Sequence, residues 1–295
     1  MCQDLVVSSV DHVPAPDGTS LGIRSSGSGP GLVVVHGAME SSGDYTDLAA
    51  ALTSRFSVHV LDRRGRGLSG PYREEAGLAV EVDDVRAVLA ATGSELVYGV
   101  SSGGVIALHA ALDVPGVRQV AVYEPALAVP GYDTAKHHAY VDRYEEAMAR
   151  GRPAEALLAV LKGSRIGPAW LRILPRAIAV RLVAQLIEEE ADPDSDDIPF
   201  GSLVPTMHYD FLVADQGSAQ LDRLAGLNGD VLLLGGSKSP SDLKAALAFL
   251  QRELPRSRRV ELPGTGHTAS SNHRQGGRPD AVARELLRFF RPAHA

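Results

Sequence analysis

Apolar residues in this chain fall into short unbroken runs, separated by longer stretches in which they recur every three or four positions. Leu5 to Val13 reads as a strand, Pro16-Asp17-Gly18-Thr19 as a hairpin turn, and Ser20 to Arg24 as its partner. After the Ser25 to Pro30 link, the run Leu32-Val33-Val34-Val35 lies between Gly31 and Gly37, a pattern typical of a strand buried on both faces. A helix near Asp44 to Thr53 and a strand from Phe56 to Leu61 follow. Leu78, Val82, Val85 and Leu89 then make one apolar helical stripe. Next come the strand Leu96-Val97-Tyr98 running into Gly99, a helix through Ala111, and the strand Val117 to Tyr123.

The alternation stops at Glu124-Pro125. Residues 125 to about 215 carry no buried-strand signal and read as mainly helical, broken by Pro130, Pro153, Pro168, Pro175, Pro193 and Pro199. Strand and helix then return as Val231 to Leu234, a helix with Leu243, Leu247, Leu250 and Leu254, Arg259 to Leu262, and a final helix with Val282, Leu286 and Phe289. A βαβα series interrupted once predicts an α/β fold: a mostly parallel, doubly wound sheet of about eight strands with a helical insertion after the sixth. Residues 1–124 and 216–295 are expected to form the core and 125–215 the helical cap. Most of the cap's apolar residues, among them Leu157, Leu158, Leu161, Leu171, Ile173, Leu174, Ile178 and Leu182, are expected to pack cap against core. The acidic run Glu188 to Asp197 reads as a solvated link within the cap.

Composition narrows the classes of function. A chain of 295 residues, 44% hydrophobic and 22% charged, is long enough for one large α/β domain with an insertion. The net charge of −7, without a basic cluster, argues against a nucleic-acid partner. No run approaches the roughly 18 apolar residues of a membrane helix, and Met1-Cys2-Gln3-Asp4 does not resemble a signal peptide. The single cysteine, Cys2, excludes an internal disulfide and fits a reducing, cytoplasmic compartment. No cofactor or metal site is expected, and the chain is expected to act as a monomer or homodimer on a small molecule.

Four strand ends carry residues with chemistry. Gly99-Val100-Ser101-Ser102-Gly103 fits a G-x-S-x-G turn from strand to helix, in which small neighbours let the chain reverse and hold the serine hydroxyl at its tip. The helix that follows would offer free N–H groups and a positive end to an oxyanion beside Ser101. The motif alone is weak in a chain with 30 glycines. However, His36-Gly37-Ala38-Met39, Glu124 and Gly264-Thr265-Gly266-His267 follow three other strands. In a doubly wound sheet these loops converge on one crevice, which brings a nucleophile, an oxyanion loop, an acid and a base to one rim.

With these markers, and with Asp62-Arg63-Arg64-Gly65-Arg66-Gly67-Leu68-Ser69 between them, the chain resembles the α/β-hydrolase superfamily, specifically its capped single-domain branch, nearly end to end outside the insertion. The resemblance implies that His267 takes the Ser101 proton and returns it to the leaving group, and that the Ser102 and Ala38 N–H groups form the oxyanion hole. It also exposes a departure. Most members carry an aspartate in the loop after the strand that here ends Leu234-Gly235-Gly236, and that position holds Ser239. Asp242 is near but fits a helix start, with Ser239 as N-cap and Pro240 at N1. Glu124 is the preferred acid, Asp242 the alternative, and an acid such as Asp210 a further one. His36 is read as structural and His273 as solvent-exposed.

The expected activity is hydrolysis of a small, largely apolar ester, lactone or thioester through an acyl-enzyme. A carbon–carbon bond hydrolase on the same triad is one alternative, and a non-hydrolytic binder or cyclase using the same pocket is another. Ser101 disfavours epoxide hydrolase and haloalkane dehalogenase chemistry, which places an aspartate at the elbow. Met39, Tyr132, Tyr140, Trp170, His208 and Tyr209 are candidate substrate contacts.

Overall fold

The computed structural model describes residues 9–73, 75–166, 169–188 and 198–290. Cys2, the first residues of the expected opening strand, Pro168, Pro193 and positions 189–197 of the acidic run lie outside them. The first part of the chain forms β1 (Ser9–Pro14), β2 (Ser20–Ser26), β3 (Gly31–Val35), α1 (Thr46–Leu52), β4 (Ser57–Leu61), α2 (Leu78–Thr92), β5 (Leu96–Val100), α3 (Ser102–Asp113) and β6 (Gln119–Tyr123). Helices α4 (Thr134–Ala149), α5 (Pro153–Gly163), α6 (Arg176–Glu188), α7 (Phe200–Leu203), α8 (Met207–Ser218) and α9 (Leu221–Leu224) follow. The chain returns to the sheet with β7 (Asp230–Gly236), α10 (Ser241–Glu253), β8 (Ser257–Leu262) and α11 (Pro279–Phe289).

The sheet order is β1-β2-β4-β3-β5-β6-β7-β8. The β1–β2 and β2–β4 pairs are antiparallel, and the other five are parallel. This is the doubly wound sheet expected from the alternation. The inner strands β3, β5, β6 and β7 are buried along nearly their whole length, whereas the edge strands β1 and β8 are largely open to solvent. Side chains alternate between the two faces. Val33, Val35, Val97, Val120, Val122 and Leu233 pack under α2, α3 and α10. Leu32, Val34, Tyr98, Val100, Ala121 and Leu234 pack under α1 and α11. Each fully buried Val or Leu contributes about 1.5–3 kcal/mol, so two continuous apolar layers fix the strand ends that carry the site.

A third apolar cluster lies apart from both. It joins Tyr140, Tyr144, Leu157, Val160, Leu171 and Met207 from α4, α5, the turn before α6, and α8. Leu127, Val129 and Val213 belong instead to the layer beneath the sheet, so both ends of the stretch between β6 and β7 are anchored in the main core. Contrary to expectation, Trp170, Ile173, Ile178 and Leu182 point outward and are 53%, 84%, 51% and 40% exposed. The α6 stripe that packs inward carries Ala179 and Val183. Only one face of a helix at the rim of a small cluster can be covered, and here the bulkier face is the one left open.

Candidate active site

The crevice lies where β3 and β5 adjoin, since the chain leaves β3 toward β4 on one side and then returns to β5 on the other. Ser101 stands there between β5 and α3 with φ +54° and ψ −120°, a strained conformation for a residue with a side chain. The flanking glycines make the turn possible. A Cβ on Gly99 would lie 2.2 Å from Gly103 O, and one on Gly103 would lie 2.3 Å from both Val35 O and His36 O. The helix therefore rests directly on the strand ends. Ser102 is the first residue of α3, and its N–H has no acceptor within the helix.

The loop after β3 is held against this turn. A Cβ on Gly37 would meet Ser101 Cβ at 3.1 Å. Glu40, a residue the sequence reading passed over, accepts from Gly37 N–H at 2.8 Å, Tyr45 OH at 2.7 Å and Ser271 Oγ at 3.0 Å. Desolvation raises its pKa above the usual carboxylate value. His36 is buried and structural: Arg63 N–H donates to its Nε2 at 3.1 Å, so Nδ1 carries the proton given to Gly37 O at 2.8 Å. Burial, then the Arg66 and Arg63 charges, push its pKa well below that of a free imidazole. His273 is half exposed and pinned between Asp47 and Asp280 at 2.8 and 3.0 Å.

Glu124 and His267 come together across two strand ends. Glu124 Oε2 accepts from His267 Nδ1 at 2.7 Å, and Oε1 accepts from Gly236 N–H at 2.6 Å. The carboxylate is fully buried. Its backbone takes φ +46° while Glu124 N–H still donates to Leu234 O, extending the β6–β7 ladder by one bond. Gly235 makes room, because a Cβ there would lie 3.1 Å from Glu124 Oε1 and 2.5 Å from Leu247. Tyr123 OH donates to Gly266 O at 2.7 Å and ties down the loop carrying His267. His267 Nε2 has no hydrogen-bond partner among the described residues, Ser101 Oγ included, and His267 is not among the residues that line the cavity over Ser101.

The other two carboxylates do not reach His267. Asp242 is exposed on the first turn of α10. That helix begins one residue later than expected: extended Pro240 is the N-cap, and the buried Ser239 hydroxyl caps nothing. Asp210 on α8 is consumed by two arginines. It takes Arg63 Nη1 and Arg66 Nη2 at 2.6 Å each and accepts Ser102 Oγ at 2.7 Å. Arg63 also donates to Ser102 Oγ at 2.9 Å and forms a two-point pair with Glu81 at 2.9 and 2.7 Å. Burial alone would raise the Asp210 pKa, but the Arg66 and Arg63 charges outweigh it and hold it below the usual value. Asp210→Ala is therefore expected to cost about 3–5 kcal/mol, since it leaves buried Arg66 without its carboxylate and Arg63 with Glu81 alone. Urea denaturation at neutral pH measures the loss, and a change under 1 kcal/mol refutes the pairing's importance. The depressed pKa gives the sign of the pH dependence: the stabilisation is present above about pH 4 and lost as pH falls through the folded-state value.

A cavity of about 310 Å³ opens over Ser101, with Ala38, Ser102, Met207 and Asp210 around it. Tyr132, Tyr140 and Asp242 line it as well. The other expected contacts do not. Trp170 faces solvent, exposed His208 pairs with Glu145 at 2.7 Å, and Tyr209 stacks on Tyr72 with ring centres 3.4 Å apart. Met39, at φ +61°, packs on the third apolar cluster and is absent from the cavity wall. Residue type marked all four as candidate contacts, but the direction each faces depends on long-range packing. Among the described residues no three His, Cys, Asp or Glu side chains group as a metal site needs. No described helix is long and apolar enough to cross a membrane.

Known proteins resemble this chain in sequence and in fold. A pimeloyl-acyl-carrier-protein methyl ester esterase of Stenotrophomonas maltophilia is 36% identical over 100 residues, which are 34% of this chain and 38% of that protein. The chain thus spans well under half the length of the curated relatives it matches. Its fold is similar to the crystal structure of an alpha/beta hydrolase from Sphaerobacter thermophilus DSM 20745, with TM-score 0.76 and 30% identity over 95% of this chain and 100% of that one. An esterase from Rhodococcus sp. ECU1013 shares the fold at TM-score 0.66 and 21% identity, covering 95% and 98% of the two chains. The model of the alpha/beta hydrolase family matches residues 32–285, most of the chain. On that match and on the fold, the chain belongs to the alpha/beta hydrolase family.

Proposed function

We propose that the protein is a serine hydrolase that cleaves a small, largely apolar ester, lactone or thioester through an acyl-enzyme on Ser101. The observation that carries this reading is the 2.7 Å bond from His267 Nδ1 to the buried Glu124 carboxylate, beside the Ser101 turn. With Nδ1–H held by Glu124, Nε2 is the acceptor that a serine proton requires. Ser101 Oγ attacks the carbonyl carbon as its proton passes to His267 Nε2, and Glu124 stabilises the imidazolium. The oxyanion takes the Ser102 and Ala38 N–H groups. His267 then protonates the departing alcohol or thiol, and water, activated by the same imidazole, releases the acid.

The esterase names of the relatives favour this reading, and residues 125–215 supply the cap over the cavity. The bond between Glu124 and His267 favours hydrolysis over a non-hydrolytic binder or cyclase, since it supplies a carboxylate although Ser239 stands where most members carry one. A fluorophosphonate probe is expected to label the folded protein, with the adduct mapping to Ser101 by peptide mass. An unlabelled protein, or an adduct elsewhere, refutes the assignment.

A further inference from the structure

The cavity wall formed by α4 and α8 carries a second set of polar side chains, for which the hydrolytic reading has no use. His137 on α4 is buried. Its Nδ1 lies 2.6 Å from the Tyr140 hydroxyl and 3.4 Å from the Tyr132 hydroxyl. Its Nε2 lies 3.2 Å from Oδ1 of Asp215 on α8, an oblique approach, and has no other partner among the described residues. All four side chains line the same cavity as Ser101.

The hydrogen-bond polarity of this row follows from its outer end. The Asp215 charge 3.2 Å from Nε2 favours the proton on that ring nitrogen, although the two do not meet as a hydrogen bond. In that tautomer Nδ1 accepts, and Tyr140 must donate to it. The Tyr132 hydroxyl faces the same nitrogen at 3.4 Å, so both phenol protons are directed at His137. The pair is left with acceptor capacity and no free donor. Both phenols stay protonated, because burial and the nearby Asp215 and Asp242 raise their pKa values. Lys136 and Arg165 reach the cavity from exposed positions and Asp133 and Asp242 line it too, so the mouth is of mixed charge. Discrimination therefore falls to the inner row.

We propose that Tyr132, Tyr140, His137 and Asp215 form a subsite for the non-reacting end of the substrate. This subsite takes a hydrogen-bond donor, a hydroxyl or ammonium group, and rejects a carboxylate. The inference rests on the reading of Ser101 as nucleophile, which makes this wall the distal one. A cavity of about 310 Å³ is at the small end of ligand sites, and it suits an acyl chain of a few carbons with one such group at its end.

The test uses methyl esters of four six-carbon acyl chains of equal length, ending in methyl, hydroxyl, ammonium or carboxylate. Turnover is measured with the wild type, and binding is measured by calorimetry with Ser101→Ala. The hydroxyl- or ammonium-ended ester is expected to exceed the methyl-ended one by about tenfold in kcat/KM, and the carboxylate-ended one to rank last. The higher of the two donor arms tells whether the phenols alone or the nearby carboxylates set the preference. In Tyr140→Phe the hydroxyl-to-methyl ratio should fall to about 1, and Tyr132→Phe serves should that variant not fold. A carboxylate-ended ester that ranks first, or a ratio unchanged in a folded variant, overturns the subsite. Turnover without any order among the four ends also overturns it, yet leaves hydrolysis standing. The expected order of affinity in Ser101→Ala without turnover by the wild type keeps the subsite and refutes the hydrolytic reading. Absence of any order in both assays refutes the subsite outright.

Discussion

Ser101→Ala is expected to lower kcat for a p-nitrophenyl ester by roughly 10⁴- to 10⁶-fold while the melting temperature stays almost where it was. The Ser101 hydroxyl is the proposed nucleophile, and the neighbouring Ser102 Oγ cannot replace it because it is held by Arg63 and Asp210. The backbone around it is held by other means, with Ser101 N–H donating to Tyr123 O and Ser101 O accepting from Gly104 and Val105. Alanine keeps the Cβ that packs near Gly37, and serine and alanine bear similar strain at φ +54°. Residual catalysis should come from the oxyanion donors and binding alone. Initial-rate kinetics and a thermal melt of the same preparation check both halves. Turnover within tenfold of the wild type removes Ser101 from the mechanism.

Glu124→Gln is expected to be nearly as damaging, at roughly 10⁴-fold in kcat, for a reason visible in its two bonds. The amide oxygen will stay on Gly236 N–H, because the amide NH₂ cannot accept from that donor. The NH₂ group then faces His267 Nδ1 and makes it an acceptor, which moves the ring proton to Nε2. The base now presents a proton to Ser101 where it should present a lone pair. Shape and burial are unchanged, so the variant should fold, and circular dichroism with a melt verifies this. The decisive comparison is Asp242→Asn, assayed in parallel. A loss there as large as that of Glu124→Gln shifts the acid back to the loop after β7.

These predictions mark the boundary of what the sequence carried. Strands buried on both faces were legible from runs such as Leu32 to Val35, because burial leaves them no polar face. The Ser101 turn and the position of Glu124 at the end of β6 were legible because each lies next to its own strand. Pairings that span the chain were not. Asp210 meets Arg63 across 147 residues, and nothing in the local pattern of α8 distinguishes it from a surface acid. The same holds for Trp170 and Ile173, whose type indicates burial while their place at the rim of a small cluster denies it. His137 and Asp215 went unnoticed for a related reason. Neither belongs to a motif, and their meeting depends on how α4 and α8 lie against each other. The shifted start of α10 is a smaller miss, since extended Pro240 serves as N-cap and displaces the expected Ser239.

The reach of Glu124 over Gly235 has a consequence for how such a protein is altered. On the proposed role of Glu124, the stretch from Ser237 to Asp242 takes no part in the chemistry. Pro240, Asp242 and Leu243 nevertheless border the cavity. A loop that touches the ligand space without serving the proton relay tolerates replacement. A library confined to those positions is where selectivity can be redesigned with the hydrolytic machinery left intact.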